Sequence, residues 1–537
     1  MSMKLLATLT LADEMASLRF ARWLAPYLRA GDIISLEGEL GVGKTFFARA
    51  LIHCLCGAEV AVPSPSFTLV QHYQAGDVEL IHADFYRLEK PEEVDELGLF
   101  DDCAEQILLL EWADKLGTAK PADCLCLCLV DEVPDEKGAP MHDGAQSIDN
   151  IMRSLTIYGT DDFAARLAGL ADYSARDHAL MQFIAQHGWQ SAKYKPILGD
   201  ASARRYLRLV KDKSAKSDSA RPAVCDVTKS VLMDWPPRPQ SDKRETYVTQ
   251  TFLARNPASF VAIANFLISC GLSAPRIYGY DFTQGFLLLE DFGTQTFTHF
   301  IDTHDKGLPI YYREAIAALA HLHKQTMPAD LPLPNGEIYH LHDFDIEVLM
   351  AELSQFLDFY LAWRGVAISQ KAQENWHTIW RTILPKATTL PPVLVLRDYH
   401  SPNLHGLAAP QTIARIGMID IQGALLGSPA YDVVSLLQDA RRDIDTDLCA
   451  RLLDFYFAER QLDKQAEQER FKQAYAILGA QRNFRIAGVF TRLAKYNNKP
   501  SYLVHLPRVM NYIEKNLQHP ALADMKIWMQ ENIPPTK

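Results

Sequence analysis

Over the first 160 positions the apolar residues form short runs, separated by stretches in which apolar spacing widens to three and four. After an opening helix, Asp32-Ile-Ile-Ser-Leu-Glu reads as a short buried strand and 46–56 as a helix. Further strands are predicted at 79–82, 106–111, 124–130 and 154–158. This alternation indicates an α/β domain with a largely parallel sheet, closing near Gly159. The stretch between Val130 and Met152, rich in Asp, Gly and Pro, is expected to be a flexible hairpin insertion. Residues 161–187 are helical in pattern, and strand signals resume at Lys195. A charged, Ser-rich surface loop covers 211–221. From Tyr311 onward helical patterns dominate, apart from 393–407 and 415–421. The domain boundaries expected are 1–159, a linker at 160–174, a β-rich lobe at 175–295 and a helical lobe at 296–537.

Charge changes this picture more than composition does. The chain has 537 residues and a formal net charge of −12. Residues 1–135 hold 10 Lys and Arg against 23 Asp and Glu, so the remaining 402 carry a net charge of about zero. An acidic first quarter is poorly suited to gripping a phosphate backbone, so any nucleic acid is expected to be held by a partner. No apolar run reaches the roughly 18 residues of a membrane span. Asp13, Glu14 and Arg19 interrupt the beginning of the chain, which does not read as a secretory signal. Nine cysteines fit a reducing cytoplasm better than a disulfide framework.

Gly38-Glu-Leu-Gly41-Val-Gly43-Lys44-Thr45 lies between a strand and a helix, the setting of a phosphate-binding loop. Glycines let backbone N–H groups curl around phosphate oxygens, Lys44 neutralises charge, and the Thr45 hydroxyl suits Mg²⁺. Ile107-Leu-Leu-Leu-Glu111-Trp112 ends an apolar strand in a carboxylate fit for the metal or for water. Ser64-Pro-Ser66-Phe-Thr68 and His82-Ala-Asp84-Phe-Tyr86-Arg87 add hydroxyls and an acid.

In this order these motifs resemble the TsaE family, the ATPases of bacterial tRNA threonylcarbamoyladenosine biosynthesis, over residues 1 to about 159. The resemblance implies ATP hydrolysis that resets a complex with TsaD and TsaB proteins, with tRNA contacted only indirectly. It also implies that Gly38, Gly41, Gly43, Lys44 and Thr45 bind nucleotide and Mg²⁺, and that Glu111 serves the metal or water. Asp84 and Ser66 would belong to the switch region, with Trp112 near the nucleotide. Ser66 stands where the family usually has threonine, and keeps the hydroxyl.

A second constellation lies downstream. In Val393-Leu-Val-Leu-Arg397-Asp398-Tyr-His400-Ser-Pro-Asn403 an apolar strand leads to an acid with an amide five residues on. Asp420 ends another strand 17 residues after Asn403, and Tyr431-Asp432 follows. That is the layout of protein-kinase-like catalysis, with Asp398 as base and Asn403 and Asp420 holding Mg²⁺ on ATP. Asp291-Phe-Gly precedes the catalytic loop, so it cannot be the metal-binding triplet.

Gly199-Asp-Ala-Ser202-Ala-Arg204-Arg205-Tyr206, the hinge-like 285–293 and Gln481-Arg-Asn-Phe-Arg-Ile-Ala-Gly complete a resemblance to the aminoglycoside phosphotransferase superfamily over about 175–520. Within it the AmgK-type anomeric kinases of N-acetylmuramate and N-acetylglucosamine, from peptidoglycan recycling, are most similar. The resemblance implies an α+β, bilobal, kinase-like fold acting on an amino sugar, with Ser202 and Arg205 touching phosphate. The strand from Val231 has no phosphate-pairing lysine, Lys229 being expected outside it. Acceptors such as choline, an amino alcohol or an aminoglycoside stay open, as does a ligand sensor without turnover.

Three other features are expected to be structural. Cys124-Leu-Cys126-Leu-Cys128 puts three thiols on one face of a buried strand, and a metal there would need ligands from elsewhere. His321, His323, His340 and His342 are expected at the surface or at caps, and Trp376, Trp380 and Tyr360 in helix packing.

Overall fold

The computed structural model describes the chain except residues 1–2, 57–59, 66–68, 76–77, 89–92, 95–97, 101–102, 133–151, 198–203, 212–226, 237–244, 300–307, 329, 409–411, 497–498 and 535–537. Ser66, Ser202 and most of both expected surface loops fall outside the described residues. Contacts divide the chain into two units, Met1–Asp200 with Tyr206–Ala215, and Ala201–Arg205 with Lys216–Lys537.

The first unit is built on seven strands: β1 (Lys4–Leu11), β2 (Ile33–Glu37), β3 (Val70–Ala75), β4 (Val78–Asp84), β5 (Gln106–Glu111), β6 (Leu125–Asp131) and β7 (Arg153–Gly159). Their order is β1-β7-β6-β2-β5-β4-β3. The parallel expectation holds for the four central strands; β1, β7 and β3 pair antiparallel at the edges. The chain opens on a strand rather than a helix, because Leu9 and Leu11 point inward while Thr8 and Thr10 face solvent. Helix α1 (Glu14–Leu24) follows, its first turn capped by Asp13, which accepts from the Ala16 N–H at 2.7 Å. The polar edge strand β3 carries no strong apolar signal, which is why the pattern did not disclose it.

The central strands are apolar on both faces, as helix-covered parallel strands must be. Along β5, Ile107 and Leu109 join the core that includes Leu51 of helix α2 (Lys44–Cys56), while Leu108 and Leu110 pack with Phe85 and Cys126 on the other face. Helices α3 (Asp161–Arg166) and α4 (Tyr173–Gln186) precede the hairpin β8 (Lys193–Ile197) and β9 (Arg205–Val210). Arg166 pairs with buried Asp32 at 2.7 Å, and Arg19 with Asp177 at 2.6 Å.

In the second unit β10 (Lys229–Asp234) and β11 (Ile277–Asp281) flank the antiparallel β12 (Phe286–Glu290). Lys229 is the first residue of β10 rather than outside it, but it is exposed. Three two-stranded pairings follow: β13 (Asp330–Pro332) with β14 (Ile338–His340), β15 (Val393–Val395) with β18 (Leu425–Gly427), and β16 (Leu404–Gly406) with β17 (Ile416–Met418). Helices make up most of the remainder, the longest being Gln465–Tyr496. Trp376, Trp380 and Tyr360 are buried in an aromatic cluster with Phe356, Phe484 and Trp528, as helix packing requires. Gly488 of the long helix lies against the Gln355 carbonyl, where a Cβ would come within 2.1 Å of the oxygen. Among the described residues, no helix is long and apolar enough to cross a membrane.

His323 departs from expectation. It is a core residue, 3% exposed, bonded through Nδ1 to the Tyr456 hydroxyl at 2.7 Å. Burial, helped by Arg460, holds its pKa well below the usual value. The unfolded chain binds this proton near pH 6.5 and the folded chain resists it, so the associated stability is complete above 6.5 and falls on acidification. Between pH 7.5 and 5.5 the wild type should therefore lose about 1.4 kcal/mol more stability than His323→Leu. Urea unfolding followed by tryptophan fluorescence at the two pH values checks this, and equal losses would refute it.

Candidate active sites

The phosphate loop joins β2 to α2. Gly38, Gly41 and Gly43 all have positive φ (134°, 86° and 103°), and a Cβ on Gly38 would meet the Leu129 carbonyl oxygen at 2.2 Å. Only glycine suits this path. Lys44 donates to the carbonyls of Gly38 (2.7 Å) and Glu39 (2.8 Å), and its ammonium lies 3.5 Å from the centre of the Trp112 ring. Burial lowers its pKa, against the opposing charges of Glu111, Asp114 and Asp84.

Glu111 is 1% exposed at the end of β5 and is held from two sides. Thr45 Oγ1 donates to its Oε2 at 2.8 Å, and His82 Nε2 lies 2.9 Å from its Oε1. Asp84 is the register partner of Glu111 on β4, so the two acids end adjacent parallel strands. The sheet thus brings Lys44, Thr45, Glu111, Asp84 and Trp112 together.

Two residues that sequence reasoning did not single out also belong here. His82 is fully buried against Glu111. Arg153, at the start of β7, is 5% exposed and faces Gly43, whose Cβ would lie 3.5 Å from its Nε. The His82-x-Asp84 spacing gave a signal for the first, since alternate strand residues share a face; the second has none.

In the second unit, Asp398 follows β15 on a turn in which Arg397 has φ +67°. Asp432 holds that turn, accepting the N–H groups of Leu396 at 2.6 Å and Arg397 at 2.9 Å. Burial pushes its carboxyl up to about 7; the charge of Asp398 acts the same way, and the two backbone donors act against it. The Arg397 guanidinium is buried on Glu352, and Arg485 lies 3.4 Å from the same carboxylate. Burial works against the charge on Asp398 too, yet Arg485, His400, Arg397 and Arg482 bring its carboxyl below the usual value, so it is ionised at neutral pH.

The pairing of β16 with β17 joins Asn403 to Asp420. Asn403 precedes one strand, Asp420 comes two residues after the other, and Leu404 faces Met418. Asn403 Nδ2 donates to the Asp398 carbonyl at 3.0 Å, and Asp398, Asn403 and Asp420 line one pocket. Gln422 donates to Asp420 Oδ1 at 2.8 Å, and Arg204 Nη2 reaches the same oxygen at 2.7 Å. Arg205 instead lies 3.7 Å from Asp234. The sequence points to Arg205 for phosphate and does not mark its neighbour; adjacent residues entering a strand point oppositely, and it is Arg204 that reaches Asp420.

The first arrangement is that of a P-loop nucleotide hydrolase, the second that of a kinase-like phosphotransferase. Residues 11–137 match the family described as threonylcarbamoyl adenosine biosynthesis protein TsaE, and 193–467, just over half of the chain, match the phosphotransferase enzyme family. An N-acetylmuramate/N-acetylglucosamine kinase of Caulobacter vibrioides is 31% identical over 366 residues, covering 67% of this chain and 98% of its own. Another from Pseudomonas putida is 31% identical over 301 residues, covering 55% and 79%. The tRNA threonylcarbamoyladenosine biosynthesis protein TsaE of Rickettsia bellii is 40% identical over 104 residues, covering 19% and 72%. The chain belongs to the phosphotransferase enzyme family through its C-terminal part, with a TsaE-family domain fused ahead of it. It is an enzyme, with an ATP-using family represented in each part.

Asp432 gives a direct test of how the catalytic turn is held. An amide at this position would turn an N–H donor toward a backbone N–H, at a cost of about 1–3 kcal/mol. Asp432→Asn should cut phosphotransfer by at least about tenfold while leaving P-loop ATP hydrolysis unchanged. Steady-state assays of both reactions check it; unimpaired phosphotransfer would refute the anchoring role.

Proposed function

We propose that the chain is a bifunctional cytoplasmic enzyme. Its first part hydrolyses ATP in service of tRNA threonylcarbamoyladenosine formation, working with TsaD- and TsaB-like partners that hold the tRNA. Its second part transfers the γ-phosphate of ATP to an amino sugar, N-acetylmuramate or N-acetylglucosamine, at the anomeric hydroxyl. The observation that carries the kinase reading is the convergence of an ionised Asp398 with Asn403 and Asp420 on one pocket, in a chain spanning almost the whole length of a kinase with those substrates.

Both sites offer oxygen donors of the kind Mg²⁺ prefers: the Thr45 hydroxyl with Glu111, and the Asn403 amide with Asp420. In this structure Asp420 Oδ1 is met by the Arg204 guanidinium and the Gln422 amide. Mg²⁺, when bound, neutralises charge on the phosphates. In the kinase site Asp398 accepts the proton of the acceptor hydroxyl as its oxygen bonds to the γ-phosphorus and ADP leaves. Arg204 takes over the phosphate-pairing work for which β10 offers only the exposed Lys229. In the hydrolase site Lys44 and the loop N–H groups bind phosphate, and Glu111 and Asp84 orient water and metal. Trp112 packs beside the nucleotide, while Ser66 serves the switch segment. Ser202 and Arg205 support the phosphate loop of the kinase.

The test is incubation with Mg²⁺ and ATP plus either sugar, followed by ³¹P NMR. The expected product is a sugar 1-phosphate that disappears with Asp398→Asn and persists with Lys44→Ala, while ATP hydrolysis without sugar behaves conversely. Phosphorylation of choline, ethanolamine or an aminoglycoside instead would replace the acceptor. No transfer to any of them would leave a ligand sensor. Arg204→Gln should raise KM for ATP about tenfold through the lost charge-assisted contact. An unchanged KM would return the phosphate role to another cation.

A further inference from the structure

Of the three alternating cysteines, the two in β6, Cys126 and Cys128, acquire a partner in the fold that their sequence does not show. Glu37, the last residue of β2, is the register partner of Cys128, and Cys126 lies two residues earlier on the same face. Cys126 Sγ is 3.5 Å from Cys128 Sγ, and Cys128 Sγ is 3.6 Å from Glu37 Oε2. All three potential ligand atoms lie within 4.8 Å of one another. A tetrahedral zinc ion, with bonds of about 2.3 Å to sulfur and 2.0 Å to oxygen, needs S···S and S···O edges of about 3.8 and 3.5 Å. The Cys126–Cys128 and Cys128–Glu37 separations are within a few tenths of an ångström of these, and the Cys126–Glu37 separation is under 4.8 Å.

Two neighbouring groups fit the same reading. Ser35 Oγ donates to Glu37 Oε1 at 2.8 Å, fixing the carboxylate so that Oε2 meets the thiols, as orienting partners of metal ligands do. Lys120 pairs with Glu37 Oε1, and its ammonium lies 3.9 Å from Cys126 Sγ. A positive charge is therefore already drawn to the space between the carboxylate and a thiol.

We propose that Glu37, Cys126 and Cys128 form a binding site for a thiophilic divalent metal of the zinc class, with solvent as fourth ligand. Binding exchanges the two thiol protons for two metal–sulfur bonds, and the protons go to solvent. Lys120 leaves Glu37 as the ion arrives and stays protonated. Because Glu37 directly precedes Gly38, the ion ties β6 to the strand end that presents the phosphate loop. Cys124 stays in the apolar core and takes no part.

The probe is Co²⁺, titrated into the reduced, chelator-treated full-length protein. One equivalent should produce thiolate-to-cobalt charge-transfer absorption and tetrahedral visible bands, both abolished by stoichiometric Zn²⁺. Thiolate absorption separates this site from Co²⁺ taken up in place of Mg²⁺ at oxygen sites. Cys126→Ser and Cys128→Ser should remove the charge-transfer band, and Cys54→Ser and Cys270→Ser should keep it. Glu37→Gln keeps both thiols and should weaken Co²⁺ binding at least tenfold, whereas Lys120→Met should tighten it by a similar factor. Circular dichroism and ATP binding report whether each variant is folded. Absence of thiolate absorption in the wild type at millimolar Co²⁺, or its survival in folded Cys128→Ser, would overturn the proposal. So would equal affinities of the wild type, Glu37→Gln and Lys120→Met.

Discussion

A polar side chain buried in a protein must find hydrogen-bond or ionic partners, and both parts of this chain are organised by that requirement. Glu111 is buried between the Thr45 hydroxyl and the His82 ring. Glu352 is buried among Arg397, Arg485 and Gln481. Asp432 is buried against two backbone N–H groups. Each arrangement fixes chain segments far apart in sequence, and the reactive groups are carried on the segments so fixed. The Arg397 turn shows the dependence clearly: its positive φ is an unfavourable conformation for arginine, and it is held by Asp432 on the backbone and Glu352 on the guanidinium.

The two sites reach similar chemistry by different routes. In the first unit a glycine loop follows β2 and the acids end parallel strands, so sheet register sets their spacing. In the second, the donors flank a short antiparallel pairing, and that hairpin sets the distance from Asn403 to Asp420.

Much of this was readable in the chain. Gly38 to Thr45, Glu111, Asp84, Asp398, Asn403 and Asp420 stand out as candidates because their spacing is local and their residue types are those that phosphate chemistry calls for. The apolar runs of β2, β5 and β6 were equally plain, since strands buried on both faces leave continuous hydrophobic signals. The edge strand β3 was not, because an edge tolerates polar residues. His323 looked like a surface residue because a lone histidine on a helix gives no sign of which neighbour will cover it, and Tyr456 lies 133 residues away.

The sequence by itself determined which families the chain belongs to and which residues are candidates for phosphate chemistry, because such motifs are written in residue types at short range. Only the tertiary structure decided which side chains cooperate across the chain. Arg204 rather than Arg205 reaches Asp420, Arg153 meets Gly43, and Glu37 joins Cys126 and Cys128. In each case the decision rests on strand register and on which face of the backbone a side chain leaves. Those quantities are fixed by packing of the whole unit and not by the residues on either side.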